Sequence, residues 1–342
     1  MALTCAICLW PNTQKIGSKA ERPGIVHFDE PEEVKQLLDT FYARGHRIID
    51  TGGNYPGSEI RLGAVGAPSR FTMITKVRDG LPGSHKASEI DASIKQSLEE
   101  LRTTSVDTLM LHVPDRETPF EEAAEAINKA YQEGKFEHFG LSNYTAAEVQ
   151  KFIDICETNG YVKPTVYEGH YNAIFRSGEK ELFPLLRRHN MAFLGYSPAA
   201  GGLFSGHAGV PKSSKRWDND VSSPETCLQA HTDHYTSAFQ NSIGKSYSDA
   251  YGHPLIQASV GPIVAAAEKV GISGHAAALR WTAYHSTLSG EHGDAIIFTV
   301  SNMQQLHQTL DAIDAGPLPA DLAEAFSALF DNTEAPNLPY HL

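Results

Sequence analysis

The sequence is poor in positive charge: Lys and Arg total 28 against 41 Asp and Glu, for a formal net charge of −13. No helical stretch carries a basic cluster, so the footprint of a nucleic-acid-binding protein is missing and any anionic ligand must be met by local groups. Cysteine is scarce as well. Cys5, Cys8, Cys156 and Cys227 are too few and too scattered for a disulfide scaffold, which points to an intracellular, cytoplasmic chain. Cys5 and Cys8 form a CxxC without a second ligand pair, so they read as two small apolar residues in a strand and no metal is expected. No apolar run approaches a membrane span. Ala2 to Trp10 lacks the basic start and the length of a secretory signal. A GxGxxG after the first strand is also missing, which counts against a doubly wound dinucleotide-binding sheet.

What is present is an alternation. Glu32 to Arg44 places Val34, Leu37, Leu38 and Phe41 on one helical face, with Pro31 suited to the start and Gly45 to the stop. Strand patterns follow at Arg47 to Asp50, Phe71 to Thr75, Asp107 to Leu111, Glu137 to Leu141, Thr165 to Tyr167, Met191 to Gly195 and Ala295 to Thr299. Between and after them lie helical patterns at Glu59 to Ala64, Lys86 to Leu101, Glu121 to Glu133, Ala146 to Asn159, Glu179 to His189, Met303 to Ala315 and Ala320 to Phe330. Strands separated by helices imply right-handed βα units and a parallel sheet. Closing seven strands into an α/β (β/α)8 TIM barrel needs an eighth, and Thr4 to Leu9 is the candidate. Ser205 to Val260 is rich in Gly, Ser and His and reads as a long loop over the C-terminal face. The expectation is one barrel domain over residues 1–342, with residues 1–31 atypical.

Polar residues fall where these strands end: Asp50, Lys76, His112, Ser142, Glu168, Tyr196 and Ser301. A (β/α)8 barrel builds its site on that face. Tyr55 lies on the loop after Asp50. A phenol, with a reference pKa near ~10, protonates a substrate at neutral pH only with help from a nearby cation. Lys76 can supply that charge, Asp50 can hold the lysine, and His112 can orient a carbonyl oxygen. Taken singly, each residue has a plainer reading: His112 a core histidine, Lys76 a snorkelling lysine, Tyr196 a barrel-layer aromatic. His27, His138 and His170 are read as structural, because no carboxylate or cysteine flanks them at metal-ligand spacing.

The stretch DTGGNYPGSE, the lysine of ITK and the histidine of LMLHVPD together resemble the aldo-keto reductase family. FGLSNY, PTVYEGHYN and LGYSPAAGGLFSG are most similar to its aflatoxin-aldehyde-reductase branch. The resemblance implies reduction of an aldehyde or ketone, with Tyr55 as acid, Lys76 and Asp50 tuning it and His112 directing the carbonyl. It implies NADP(H) as cofactor, with NAD(H) not excluded. Ser142, Asn143, Glu168 and Tyr196 would meet the nicotinamide, and Asp50 would also touch the cofactor. Ser197, Pro198, Leu203 and Gly206 would wrap the pyrophosphate, and Ser301, Gln305 and Thr309 would hold the adenosine end.

Departures from the family pattern are visible too. Glu168 stands where Gln is usual, turning an amide into a pure acceptor when ionised. No Arg or Lys lies in Met303 to Leu310, so charge support for a 2′-phosphate would have to come from Lys215 or Arg216. The expected partner is a small-molecule carbonyl compound, with a step in a secondary-metabolite pathway as one setting, and neither nucleic acid nor a membrane. The oligomeric state is open, a dimer included. The competing reading is a nicotinamide-nucleotide-binding barrel that acts as a sensor or assembly subunit with little turnover.

Overall fold

The computed structural model describes residues 4–8, 27–55, 57–205, 251–333 and 338–342. Eight parallel strands follow one another in chain order around a closed barrel: β1 (Thr4–Cys8), β2 (Ile48–Asp50), β3 (Thr72–Lys76), β4 (Val106–Leu111), β5 (Phe136–Ser142), β6 (Pro164–His170), β7 (Ala192–Tyr196) and β8 (Ala295–Phe298). The N-terminal strand does complete the ring. It pairs with β2 at Ala6 and Ile48, and with β8 at Thr4 and Ala295.

The helices stand outside because their apolar residues recur on one face. Helix α1 (Pro31–Ala43) buries Val34, Leu37, Leu38 and Phe41, each worth about 1.5–3 kcal/mol relative to exposure. Its start is closed by a reciprocal pair of hydrogen bonds between Glu30 and Glu33. Helices α2 (Ser58–Ala64) and α3 (Ala87–Leu101) touch at a glycine. A Cβ on Gly63 would lie 2.2 Å from the backbone oxygen of Glu100, so only hydrogen fits there. Helices α4 (Phe120–Gln132), α5 (Ala146–Asn159) and α6 (Leu182–Arg188) continue the ring. Thr145 caps α5 through the amide of Glu148, and Gly160 ends it at φ +67°.

Several boundaries move. The helix expected from Glu179 begins at Leu182, preceded by a 3-10 turn at Ser177–Glu179. Strand β6 runs past Glu168 to His170, and β8 stops at Phe298 rather than Thr299. The tail helix divides into Ala320–Ser327 and Leu329–Asn332.

A larger correction concerns the long loop. Residues 206–250, with Gly206, Lys215 and Arg216, lie outside the described residues. Its end is not loop at all: helix α7 (Pro254–Lys269) starts there, followed by α8 (Gly274–Tyr284). Ile256, Val260, Ile263 and Val264 of α7 and Trp281 of α8 are buried in the cluster that also holds Tyr55 and Leu203. No single helix among the described residues is long and apolar enough to cross a membrane.

Candidate active site

Asp50 is the last residue of β2 and Lys76 the last of β3, and both are wholly buried. The Lys76 ammonium is bonded to Asp50 Oδ1 and donates to the Thr51 carbonyl at 3.1 Å. It also reaches across the barrel to Glu168 Oε2, 3.2 Å away. Tyr55 follows on the β2 loop, where its ring centroid lies 5.4 Å from Lys76 Nζ. Gly52 makes that approach possible. A Cβ there would sit 3.3 Å from Lys76 Cβ and 3.4 Å from Tyr55 Cζ.

His112 follows β4 and meets Tyr55 edge-on, with ring centroids 5.7 Å apart. Burial, and then the Lys76 charge, hold its imidazole well below the usual histidine range, so it is neutral. A neutral ring donates a hydrogen bond without competing for the proton. Glu168 is shifted the other way. Burial, and then the Asp50 charge, push its carboxyl up to about 8 against the pull of Lys76.

From His112 the contacts run on to the neighbouring strand. Asn143, at φ +66°, donates to the His112 carbonyl at 2.9 Å and to Ser142 Oγ at 3.0 Å. Its own Oδ1 accepts from the Tyr196 hydroxyl at 2.9 Å. Asp50, Tyr55, Lys76, His112, Ser142, Asn143, Glu168 and Tyr196 therefore form one connected set at the C-terminal mouth.

The remaining expected residues lie on two flanking segments. After β7 the chain turns through Ser197 (φ +57°), Ala200 (φ +50°), Gly201 (φ +65°) and Gly202 (φ +94°). The amides of Ala200, Gly202, Leu203 and Ser205 donate to carbonyls of Ser197, Ala199, Ala200 and Gly202, which fixes the shape of the turn. Pro198 is fixed by its carbonyl, which accepts from Thr282 Oγ1 at 2.8 Å, and the Leu203 side chain is buried in the mouth cluster. Ser301 and Gln305 meet each other, the Ser301 amide donating to Gln305 Oε1 at 2.7 Å. They open helix α9 (Met303–Asp314), on which Thr309 is buried.

Sequence reasoning missed the support behind His112. Asp79 is buried and accepts from the backbone amides of His112 and Val113 at 2.7 and 3.0 Å, and its Oδ2 lies 3.2 Å from His85 Nε2. Its Oδ1 is 4.0 Å from His112 Nδ1. Both residues sit in the loop after β3, where no periodicity marks them. His170, read as structural, stacks on Tyr196 with centroids 5.1 Å apart and lies 2.7 Å from the Tyr251 hydroxyl. Asp107 and Glu137 bring ligand atoms within 4.8 Å of the His138 ring, so carboxylates do flank it, unlike the expectation from its spacing. That group lies on the surface near the other end of β4 and β5.

The model of the aldo/keto reductase family matches residues 23–330. An aldo-keto reductase of Pseudocercospora fijiensis is 33% identical over 89% of this chain and 99% of its own length. Aflatoxin B1 aldehyde reductase member 2 of Homo sapiens is 36% identical over 84% of this chain and 79% of its own. The oxidoreductase sirO of Leptosphaeria maculans is 34% identical over 88% and 86%. With a family model spanning most of its length and relatives a third identical over most of theirs, the chain belongs to the aldo/keto reductase family and is an oxidoreductase.

Proposed function

We propose that the barrel mouth reduces an aldehyde or ketone to an alcohol with Tyr55 as proton donor. The observation that carries this is the convergence of Tyr55, Lys76, Asp50 and His112, from three strand ends and one loop, in a buried cluster. Lys76 stabilises the phenolate that remains when Tyr55 gives up its proton. Asp50 fixes the ammonium in place. His112, neutral and backed by Asp79, points the carbonyl oxygen at the phenol. An intact cluster of this kind favours turnover over a sensor or assembly role.

The donor set fits a nicotinamide nucleotide. Ser142, Asn143 and Glu168 offer polar atoms to a carboxamide, and Tyr196 offers a ring held by His170 on which an aromatic ligand can stack. The segment from Ser197 to Leu203, held by the Thr282 hydroxyl on the Pro198 carbonyl, is the wall proposed to wrap the pyrophosphate, and the start of α9 at Ser301 and Gln305 suits the adenosine end. When bound in reduced form, the nicotinamide supplies the hydride for the carbonyl carbon. NADP(H) is the cofactor proposed. NAD(H) is the second to assay, because residues 303–310 carry no Arg or Lys. The human relative is named for an aldehyde, and an aldehyde is the first substrate class to test.

Tyr55→Phe decides the central assignment. Reduction should fall by roughly 10² to 10⁴-fold, the usual worth of general acid catalysis, while cofactor binding followed by protein fluorescence stays within about twofold. A variant that reduces an aldehyde as fast as the wild type would remove Tyr55 from the mechanism.

A further inference from the structure

Three ionisable side chains, Asp50 on β2, Lys76 on β3 and Glu168 on β6, are wholly buried together, and their formal charges do not cancel. Two acids share one base. A buried cluster with an uncompensated negative charge is relieved by taking up a proton. That proton belongs on Glu168, because Asp50 has the closer pairing with the ammonium while Glu168 meets it at 3.2 Å. Burial and the Asp50 charge favour the neutral acid there, up to about pH 8. The strands on either side bring Ser142 and Leu194 opposite Glu168 and add no charge. Of the other titratable groups at the mouth among the described residues, His112 and His170 are neutral, Tyr55, Tyr196 and Tyr251 are phenols, and Asp79, behind His112, lies 3.2 Å from His85 Nε2.

We propose that Glu168 is a specificity residue that gives up a proton when an oxidised, cationic nicotinamide occupies the mouth and keeps it when the ring is reduced and neutral. This rests on the cofactor reading above and adds to it. A positive ring supplies the charge that would balance an ionised Glu168, so ring binding and ionisation favour each other by the same factor. The step balances simply: the carboxylic acid becomes a carboxylate, one proton leaves to solvent, and no electrons move. A glutamine in this place could hold the ring but could not report its charge.

The test uses the whole protein with NADP⁺ and NADPH, titrated by protein fluorescence from about pH 6 to about pH 9, for the wild type, Glu168→Gln and Tyr55→Phe. The two forms carry the same phosphates, so the ratio of their affinities isolates the ring. In the wild type the preference for the oxidised form should rise by up to about tenfold per pH unit and level off above about 8. Tyr55→Phe should keep that slope and Glu168→Gln should lose it. Calorimetry of the wild type in two buffers of different ionisation enthalpy should count about 1 proton released with NADP⁺ at neutral pH and almost none with NADPH. A slope that survives in Glu168→Gln, or equal proton counts for the two forms, overturns the inference; the second result does so even if the variant fails to fold. Binding of both forms without any pH slope sinks this inference alone, whereas no binding of either form to the wild type sinks the cofactor reading with it.

Discussion

Lys76→Met keeps an unbranched stem in a fully buried position and removes only the ammonium. Asp50 and Glu168 then lose the cation between them, and the Thr51 carbonyl loses a donor at 3.1 Å. Removing one partner of a buried ion pair usually costs about 3–5 kcal/mol. The lower end applies here, because the proton held by Glu168 lets the two carboxyl groups pair as acid and carboxylate. The catalytic effect follows from distance. A unit charge 5.4 Å from the Tyr55 ring centroid, at an effective dielectric of ~20, favours the ionised phenol by about 3 kcal/mol, roughly a hundredfold in the fraction ionised. Alcohol oxidation needs that phenolate as base and should fall by about a hundredfold at neutral pH, while carbonyl reduction, which starts from the phenol, should fall less. Initial rates in both directions would be measured across pH with a substrate pair that the wild type interconverts. Cofactor binding would be followed separately by fluorescence, and stability by urea unfolding. Rates and pH profiles indistinguishable from wild type, with cofactor bound, would show that the ammonium does not act on Tyr55.

Glu59 is buried, accepts hydroxyls from Thr75 and Ser97, and is pushed up to about 7, chiefly by burial. A carboxyl raised on folding stays protonated in the native state after the unfolded chain has released its proton. Its contribution is therefore complete below about 4.5 and is lost as pH rises towards 7, by up to about 3 kcal/mol. Glu59→Gln should lose that component, so its stability relative to wild type should rise over this window in urea unfolding, and parallel curves would count against it. Gly63→Ala places a methyl 2.2 Å from the Glu100 carbonyl oxygen and should destabilise by about 1–3 kcal/mol, with wild-type stability as the refuting result.

The barrel, and the meeting of Asp50, Tyr55, Lys76 and His112 at its mouth, were legible because their signals are local. Short apolar strands ending in polar residues announce both the sheet and the face that carries the site, and Thr4–Cys8 proved to be the missing strand. Helices α7 and α8 escaped for the opposite reason. They are rich in Ala and Gly and apolar on more than one side, α7 carries Pro262 inside it, and neither shows the contrast of faces on which helix recognition depends. Asp79 and His85 gave no signal, since a buried carboxylate in a turn differs from an exposed one only through residues brought in by the fold. Glu168 was visible as a departure from the family pattern. That it shares a lysine with Asp50 across the barrel is a fact of three dimensions.

That shared lysine ties the appearance of the site to the order of folding events. Lys76 and Glu168 sit on β3 and β6, with β4 and β5 between them, so no single βαβ unit brings them together. The ion cluster can assemble only once β3 to β6 have paired in order and curved towards one another, a slow, non-local part of building such a topology. During refolding from urea, helical signal should therefore recover ahead of catalysis, with competence arriving in the last kinetic phase.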